Sequence, residues 1–249
     1  MSLAAIAAVA LAGFAAGAIN AIVGSGSLIT FPTLLAVGFP PVVANVSNTL
    51  GIFVGTVGSV FGYRRELAGQ RARILQLLVP ALGGGTLGAA LLLVLPQRAF
   101  KAVVPVLIAV AVVLVVVQPW LTRHLGPHFT GPLAQRVLLP VAVFLTAIYG
   151  GYFGAAQGVI LMGIFLVLID DSVQRLNGLK NVCASVTNLV AAVYFVLFAR
   201  IAWEPALVIA VSSLAGSQLG SVLGRRLPPN LVRVVIVVAG VAGLVKVLA

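Results

Sequence analysis

The sequence predicts an all-α integral membrane protein. The expected architecture is a polytopic helical bundle of about eight to ten segments, built as two inverted repeats with short broken or re-entrant helices. Three observations predict it. The 249 residues are 61% hydrophobic and only 8% charged, whereas soluble domains are about a quarter charged. The charges fall in short gaps between long apolar runs. The runs also recur at a fixed spacing along the chain.

Residues 1–63 carry no charge, and further charge-free runs cover 74–97, 102–122, 137–169, 181–199 and 205–224. A hydrocarbon core of about 30 Å takes roughly 20 apolar residues as a helix. The runs do not alternate, so they read as helices and not as barrel strands. In chain order, long segments are expected at 2–23, 42–62, 74–95, 99–119, 134–154, 176–198, 205–224 and 231–248. Two further segments, 27–38 and 158–169, are too short to cross upright, and each follows a Gly-rich stretch. They read as half-helices or re-entrant pieces.

The ten segments fall into two fives. At a constant offset of 132 residues, Gly26 aligns with Gly158, Asn45 with Asn177, Gly84 with Gly216, Gly88 with Gly220, Pro96 with Pro228 and Lys101 with Arg233. Glycine is abundant, so the Asn and Pro matches carry most of the weight. The pattern is that of an internal duplication: a first transmembrane repeat at 1–119, a linker at 120–133 and a second repeat at 134–249. The Gly84–Gly88 and Gly216–Gly220 pairs have the spacing that lets helix backbones approach closely in lipid.

The net charge of +11, from 15 Lys+Arg and 4 Asp+Glu, is also what a nucleic-acid binder shows. Here the basic residues sit in gaps between apolar runs, as Arg64, Arg65, Arg71 and Arg73 do. That is the pattern of cytoplasmic loops facing anionic lipid, and no nucleic-acid partner is expected. Taking the inverted arrangement with the 63–73 loop inside puts nine basic residues (Arg64, Arg65, Arg71, Arg73, Arg123, Arg136, Arg225, Arg226 and Arg233) on that side. Four (Arg98, Lys101, Arg200 and Lys246) fall on the other. Trp120 and Trp203 sit at run ends, where interfacial aromatics belong.

Polar residues inside lipid are costly, so each points to a role. They cluster around the short segments in both repeats: Asn20, Ser25, Ser27, Asn45, Ser47, Asn48 and Thr49, then Gln157, Asn177, Lys180, Asn181, Ser185, Thr187 and Asn188. Short Gly-interrupted segments at corresponding places are the sequence mark of a transporter site. A helix N-terminus carries free N–H groups and about half a positive charge, so Ser25-Gly26-Ser27 and Gln157-Gly158 together suggest a cradle for a small anion. The expected substrate-binding set is Asn20, Ser25, Gly26, Ser27, Asn48, Thr49, Gln157, Gly158, Asn177, Lys180 and Asn181, with Lys180 either at the site or reaching toward headgroups. Asp170-Asp171 with Arg175 reads as a solvated turn capping the next helix or as a proton-coupling carboxylate. Cys183 reads as a packing residue. His124 and His128 lie among Gly126, Pro127, Gly131 and Pro132, which break the helix that a metal pair at that spacing would need. No metal, no cofactor and no catalytic residue is expected, and the chain does not read as an enzyme.

These residues also carry a family resemblance over nearly the whole chain. Asn20–Ser27 leading to Phe31-Pro32, then Ala44-Asn45-Val46-Ser47-Asn48-Thr49, then Tyr149–Gly154 with Gln157-Gly158, then Asn177-Gly178-Leu179-Lys180-Asn181, resemble the sulfite exporter TauE/SafE family (4-toluene sulfonate uptake permease-like). The resemblance implies a multi-pass carrier of the bacterial inner membrane for sulfite, thiosulfate or small organosulfonates. It implies export by alternating access, with the proton gradient as a candidate driving force. The chain departs from the family's denser glycine runs at Gly24-Ser25-Gly26-Ser27 and Gly154-Ala155-Ala156-Gln157-Gly158, which add hydroxyl and amide groups. A passive channel, or a carrier of other small organic anions, is the competing reading; a homo-oligomer is compatible with either.

Overall fold

The computed structural model describes residues 1–124, 131, 133–223 and 229–248, and all regular structure among them is helical. The helices are α1 Leu3–Ile22, α2 Ser27–Val37, α3 Pro41–Gly62, α4 Arg71–Val94, α5 Gln97–His124, α6 Leu139–Tyr152, α7 Gln157–Leu168, α8 Val173–Phe198, α9 Trp203–Leu223 and α10 Pro229–Leu248, with a π-helical stretch at Ala134–Leu138 leading into α6. Among the described residues six helices are long and apolar enough to cross a membrane, while Ser27–Val37 and Gln157–Leu168 are short apolar helices. At 1.5 Å per residue the short pair spans only about 16–18 Å, roughly half a hydrocarbon core.

Local signals set the ends. Ser2 caps α1 by accepting from the Ala5 N–H at 3.2 Å, and Ser172 caps α8 by accepting from the Arg175 N–H at 3.4 Å. Pro41 opens α3 as its first residue, where a missing N–H does no harm. Gly38 ends α2 in the left-handed conformation at φ 104°. The fifth helix runs past its expected end at 119 to His124, where the imidazole Nδ1 lies 2.9 Å from the Trp120 carbonyl oxygen. His128 lies outside the described residues.

Small residues bring the helices together. A Cβ built on Gly84 would lie 2.3 Å from the Phe144 carbonyl oxygen, and one on Gly88 2.0 Å from that of Ile148. So α4 lies on α6 with side-chain-free contact, as the spacing of the two glycines suggested. Gly216 and Gly220 press in the same way on the Phe14 and Ala18 carbonyls, which lays α9 on α1. On α3, Gly51, Gly55, Gly58 and Gly62 meet Ile209, Ser213, Ser217 and Ser221 of α9 in rising order. Hence α1, α3 and α9 run in one direction.

The 63–70 loop reverses the chain after α3, so α4 runs the opposite way, and α6 runs with it. The starts of α4 and α8 meet through Arg73 and Asp171. The first helix of one five is therefore antiparallel to the first helix of the other, and the repeats are inverted. The packing is also exchanged: the fourth helix of each five packs chiefly on the first and third helices of the other five, α9 on α1 and α3, α4 on α6 and α8. Two bundles of mixed origin result, α1–α3–α9 and α6–α8–α4, joined along α3 and α8. Outward faces are apolar, with Leu11, Val79, Val106, Val211 and Val222 all more than half exposed, as a lipid-facing surface requires.

Charge is distributed as the loops suggested. Among the described residues Arg64, Arg65, Arg71 and Arg136 are exposed and Arg73 partly exposed at the end formed by the 63–70 loop. Arg98, Lys101 and Arg200 are exposed at the other. Arg123, Arg225, Arg226, Arg233 and Lys246 have no described side chains.

Candidate functional site, where two helix breaks cross

The two short helices begin where two long ones break. At the end of α1 the Val23 and Gly24 N–H groups both turn back to the Ile19 carbonyl, at 2.7 and 3.2 Å. At the end of α6 Phe153 and Gly154 do the same to Tyr149, at 2.9 and 3.1 Å. Gly24 and Gly154 follow with φ of 86° and 75°, values that favour glycine. Gly24 pairs with Gly154 at an offset of 130, and the starts of α2 and α7, Ser27 and Gln157, keep that offset. The two breaks are therefore equally long, four residues each, and they differ in conformation at their ends: Ala156 before α7 is left-handed (φ 61°) where Gly26 before α2 is right-handed (φ −58°).

The breaks touch. The Gly158 N–H donates to the Gly24 carbonyl at 3.1 Å, and a Cβ on either glycine would lie 2.5 Å from the other's Cα. The residue in contact with Gly158 is Gly24. Gly26 instead backs onto α1, where a Cβ would lie 2.4 Å from the Ala16 carbonyl oxygen. The glycines are used for backbone contact, and the N–H of Gly26 is taken by the Asn20 side-chain carbonyl at 3.3 Å.

Across the first break lies α8. Asn177, Lys180 and Asn181 share one helical face, and all three are under 8% exposed. Asn177 and Asn181 donate to the Ala21 carbonyl at 3.2 and 3.3 Å. The Lys180 ammonium donates to the Asn20 and Ile22 carbonyls at 3.3 and 3.4 Å. Carbonyls at a helix C-terminus lack partners and carry partial negative charge, so a buried cation is well placed there. Lys180 is 1% exposed and sits about 10 Å along α8 from its start, so it does not reach for headgroups. Its Cδ also passes 3.1 Å from where a Cβ on Gly158 would be.

Across the second break lies α3. Asn45, the repeat partner of Asn177, donates to the Tyr152 carbonyl at 3.0 Å. Asn48, the repeat partner of Lys180, turns to its own half: it donates to Ser27 Oγ at 3.1 Å and accepts from Thr30 Oγ1. Thr49 donates to the Asn45 carbonyl within its own helix, at 2.9 Å. Ser185, Thr187 and Asn188 are buried farther along α8, and Thr187 donates to the Cys183 carbonyl. Around the crossing three buried polar atoms have no hydrogen-bond partner: Ser25 Oγ, Asn45 Oδ1 and Gln157 Nε2.

The sulfite exporter TauE/SafE family model matches residues 9–247. The chain belongs to that family. A probable membrane transporter protein of Haemophilus influenzae is 28% identical over 228 residues, covering 91% of this chain and 88% of its own. The probable membrane transporter protein ORF9 of a Sinorhizobium species is 26% identical over 246 residues, covering 96% and 90%. The probable membrane transporter protein YfcA of Escherichia coli K12 is 24% identical over 228 residues, covering 90% and 82%. No solved structure matches the chain. The TauE/SafE chain is a multi-pass membrane transporter.

Two further features of this TauE/SafE protein lie between the crossing and the 63–70 loop. A cavity of about 160 Å³ is lined by Ile22, Tyr63, Gln118, Gln174 and Asn177, among others, and so reaches the first break. Beyond it the α8 start is tied down. Asp171 pairs with Arg73 at 3.1 Å and with Arg175 at 2.8 Å, Arg175 donates to the Ala68 carbonyl at 3.0 Å, and Gln70 donates to the Arg175 carbonyl at 3.1 Å. Against the partial burial that pushes it up, the Ser172 N–H and the Arg175 and Arg73 guanidiniums hold the Asp171 carboxyl below its ordinary value. In this turn Ser172 caps α8, while Asp171 and Arg175 anchor a neighbouring loop. The sequence signalled Asp171 and Arg175; it offered nothing to join them to Arg73 and Gln70, which lie about 100 positions away.

Proposed function

We propose that this TauE/SafE protein is a secondary transporter, and an exporter, of small sulfur-containing anions such as sulfite or organosulfonates. We place it in the bacterial inner membrane with the 63–73 loop in the cytoplasm. The observation that carries the reading is the buried meeting point of two helix breaks, one from each repeat, with unpaired polar side chains and the Lys180 ammonium beside it. Broken helices meeting inside a bundle are the usual setting of a carrier's site. The candidate contacts are Asn20, Ser25, Gly26, Ser27, Asn48, Thr49, Gln157, Gly158, Asn177, Lys180 and Asn181. Lys180 supplies positive charge, and Ser25 and Gln157 supply donors.

Alternating access in this packing does not rock residues 1–119 against 134–249. The exchanged contacts favour rocking of α1–α3–α9 against α6–α8–α4 about the α3–α8 seam, which would part the Gly24–Gly158 crossing. The 160 Å³ cavity is the inner approach and the Asp171 cluster its closure. The test is flux of labelled sulfite or an organosulfonate into proteoliposomes. Saturable uptake with counterflow supports a carrier; linear, non-saturating flux supports a channel; no flux of any sulfur oxyanion overturns the substrate class.

A further inference from the structure

The three unpaired atoms at the crossing are chemically unequal, and that inequality says what the cargo brings. Gln157 Nε2 is a donor, and Ser25 Oγ–H can donate. Both suit the oxygens of an oxyanion. Asn45 Oδ1 is an acceptor and cannot be exchanged for its amide nitrogen, because Nδ2 already donates to the Tyr152 carbonyl, which only accepts. An oxyanion oxygen placed against Asn45 Oδ1 would be repelled by it.

The three belong to one place. Ser25 adjoins Gly24 and Gln157 adjoins Gly158, the two glycines that touch. Asn45 is bound to the same break that Gln157 closes. All three are 3% exposed or less.

We infer that the cargo carries a hydrogen-bond donor as well as its negative charge, so that Ser25 and Gln157 bind its oxyanion end and Asn45 Oδ1 binds an N–H or O–H on it. This rests on the anion-transporter reading above and narrows it. Hydrogen sulfite, or a sulfonate with an adjacent amino group, fits; a sulfonate with only carbon at that position leaves Asn45 Oδ1 unpaired in a buried site, the situation in which polar sites discriminate most strongly.

Sulfamate and methanesulfonate test it. Both are monoanions with the same tetrahedral SO₃ group, and they differ in bearing NH₂ or CH₃. Binding to the purified full chain is measured by calorimetry and thermal shift, with sulfite as the reference anion. The expected result is a Kd for sulfamate at least tenfold below that for methanesulfonate. In Asn45→Ala the ratio is expected to fall toward one; if that variant does not fold, the ligand pair on the wild-type chain decides alone. Equal binding of the two, or tighter methanesulfonate, overturns the donor requirement while leaving an anion site. Sulfite binding with neither analogue overturns it as well. Binding of none of the three overturns the transporter reading itself.

Discussion

The two helix breaks are repeat copies that are held in unequal ways. The break after α1 is gripped from the opposite repeat by three α8 side chains on three successive carbonyls, Asn20, Ala21 and Ile22. The break after α6 receives one side chain from α3, Asn45 to the Tyr152 carbonyl. It is supported instead from within, by Tyr149 Oη on the Ala155 carbonyl. The first break is thus clamped from the opposite repeat, and the second has fewer ties across the seam. If the transporter moves at the crossing, the second break is the part expected to move.

The largest effect is expected where the breaks touch. In Gly158→Ala the added methyl would lie 2.5 Å from the Gly24 Cα and 3.0 Å from its carbonyl oxygen. Both are backbone atoms, so relief requires the crossing itself to open, at a cost of about 1–3 kcal/mol or more. Gly163, in the same short helix, has nothing within 4 Å of its Cβ position. Gly163→Ala is expected to match or exceed wild-type stability by up to about 1 kcal/mol. Thermal unfolding in detergent and proteoliposome flux read both variants. A Gly158→Ala protein that folds and transports normally would remove the close crossing.

Lys180 and Asn48 occupy equivalent positions, so exchanging each for a neutral, non-bonding side chain measures the asymmetry directly. Lys180→Met leaves the Asn20 and Ile22 carbonyls without their donor. A hydrogen bond to a charged group contributes about 1.5–3 kcal/mol. The expected outcome is a matching loss of stability and at least a tenfold loss of flux. Asn48→Ala loses neutral contacts within its own half, and buried neutral bonds between membrane helices average about 0.6 kcal/mol. Equal losses in the two variants would mean that the clamp on the first break is not stronger.

A finer test uses the paired asparagines. Asn177 shares the Ala21 carbonyl with Asn181, whereas Asn45 alone reaches the Tyr152 carbonyl. Asn45→Ala is therefore expected to destabilise more than Asn177→Ala, with single losses of about 0.6 to 1.7 kcal/mol. The double variant Asn177→Ala with Asn181→Ala is expected to bring the first break down to the level of the second. Unfolding midpoints of the four proteins decide the order.

Much of this was legible in the sequence, for a physical reason. Lipid forbids unpaired backbone and stray charge, so span borders and the two short helices follow from where charge, Gly and Pro fall. Polar residues at depth could be read as a cluster for the same reason, and Lys180, Asn177 and Gln157 do lie at the crossing. What could not be read was partnership. An offset of 132 holds from the starts of α3 and α8 onward, but the two helices before each keep an offset of 130, so it aligned Gly26 with Gly158 when Gly26 stands where Ala156 does. Nor does an apolar helix record which neighbour it packs on. The exchange of α4 and α9 between repeats, and the roles of Gln70 and Arg73 at the α8 start, depend on long-range contacts that leave no local trace.

The smallest expected effect lies at the end of the molecule that the 63–70 loop closes. Asp171 holds Arg73 and Arg175, and its carboxyl is depressed below the ordinary value of about 3.9. A depressed carboxyl stabilises the folded state fully above its ordinary value, and the contribution is lost as pH falls through the lower folded value. With both arginines partly exposed, the pairs contribute at most about 1 kcal/mol. Asp171→Asn is therefore expected to unfold a few degrees below wild type at neutral pH, with the gap closing below about pH 4. Since the cluster ties the start of α8 to the loop below the 160 Å³ cavity, the same variant is expected to let a cysteine at Met162, on that cavity's wall, react faster with a membrane-impermeant thiol reagent from the loop side. Cys183, the chain's one native cysteine, is buried and adds little background. An unchanged labelling rate would show that the ion pairs anchor α8 without closing the path to the first break.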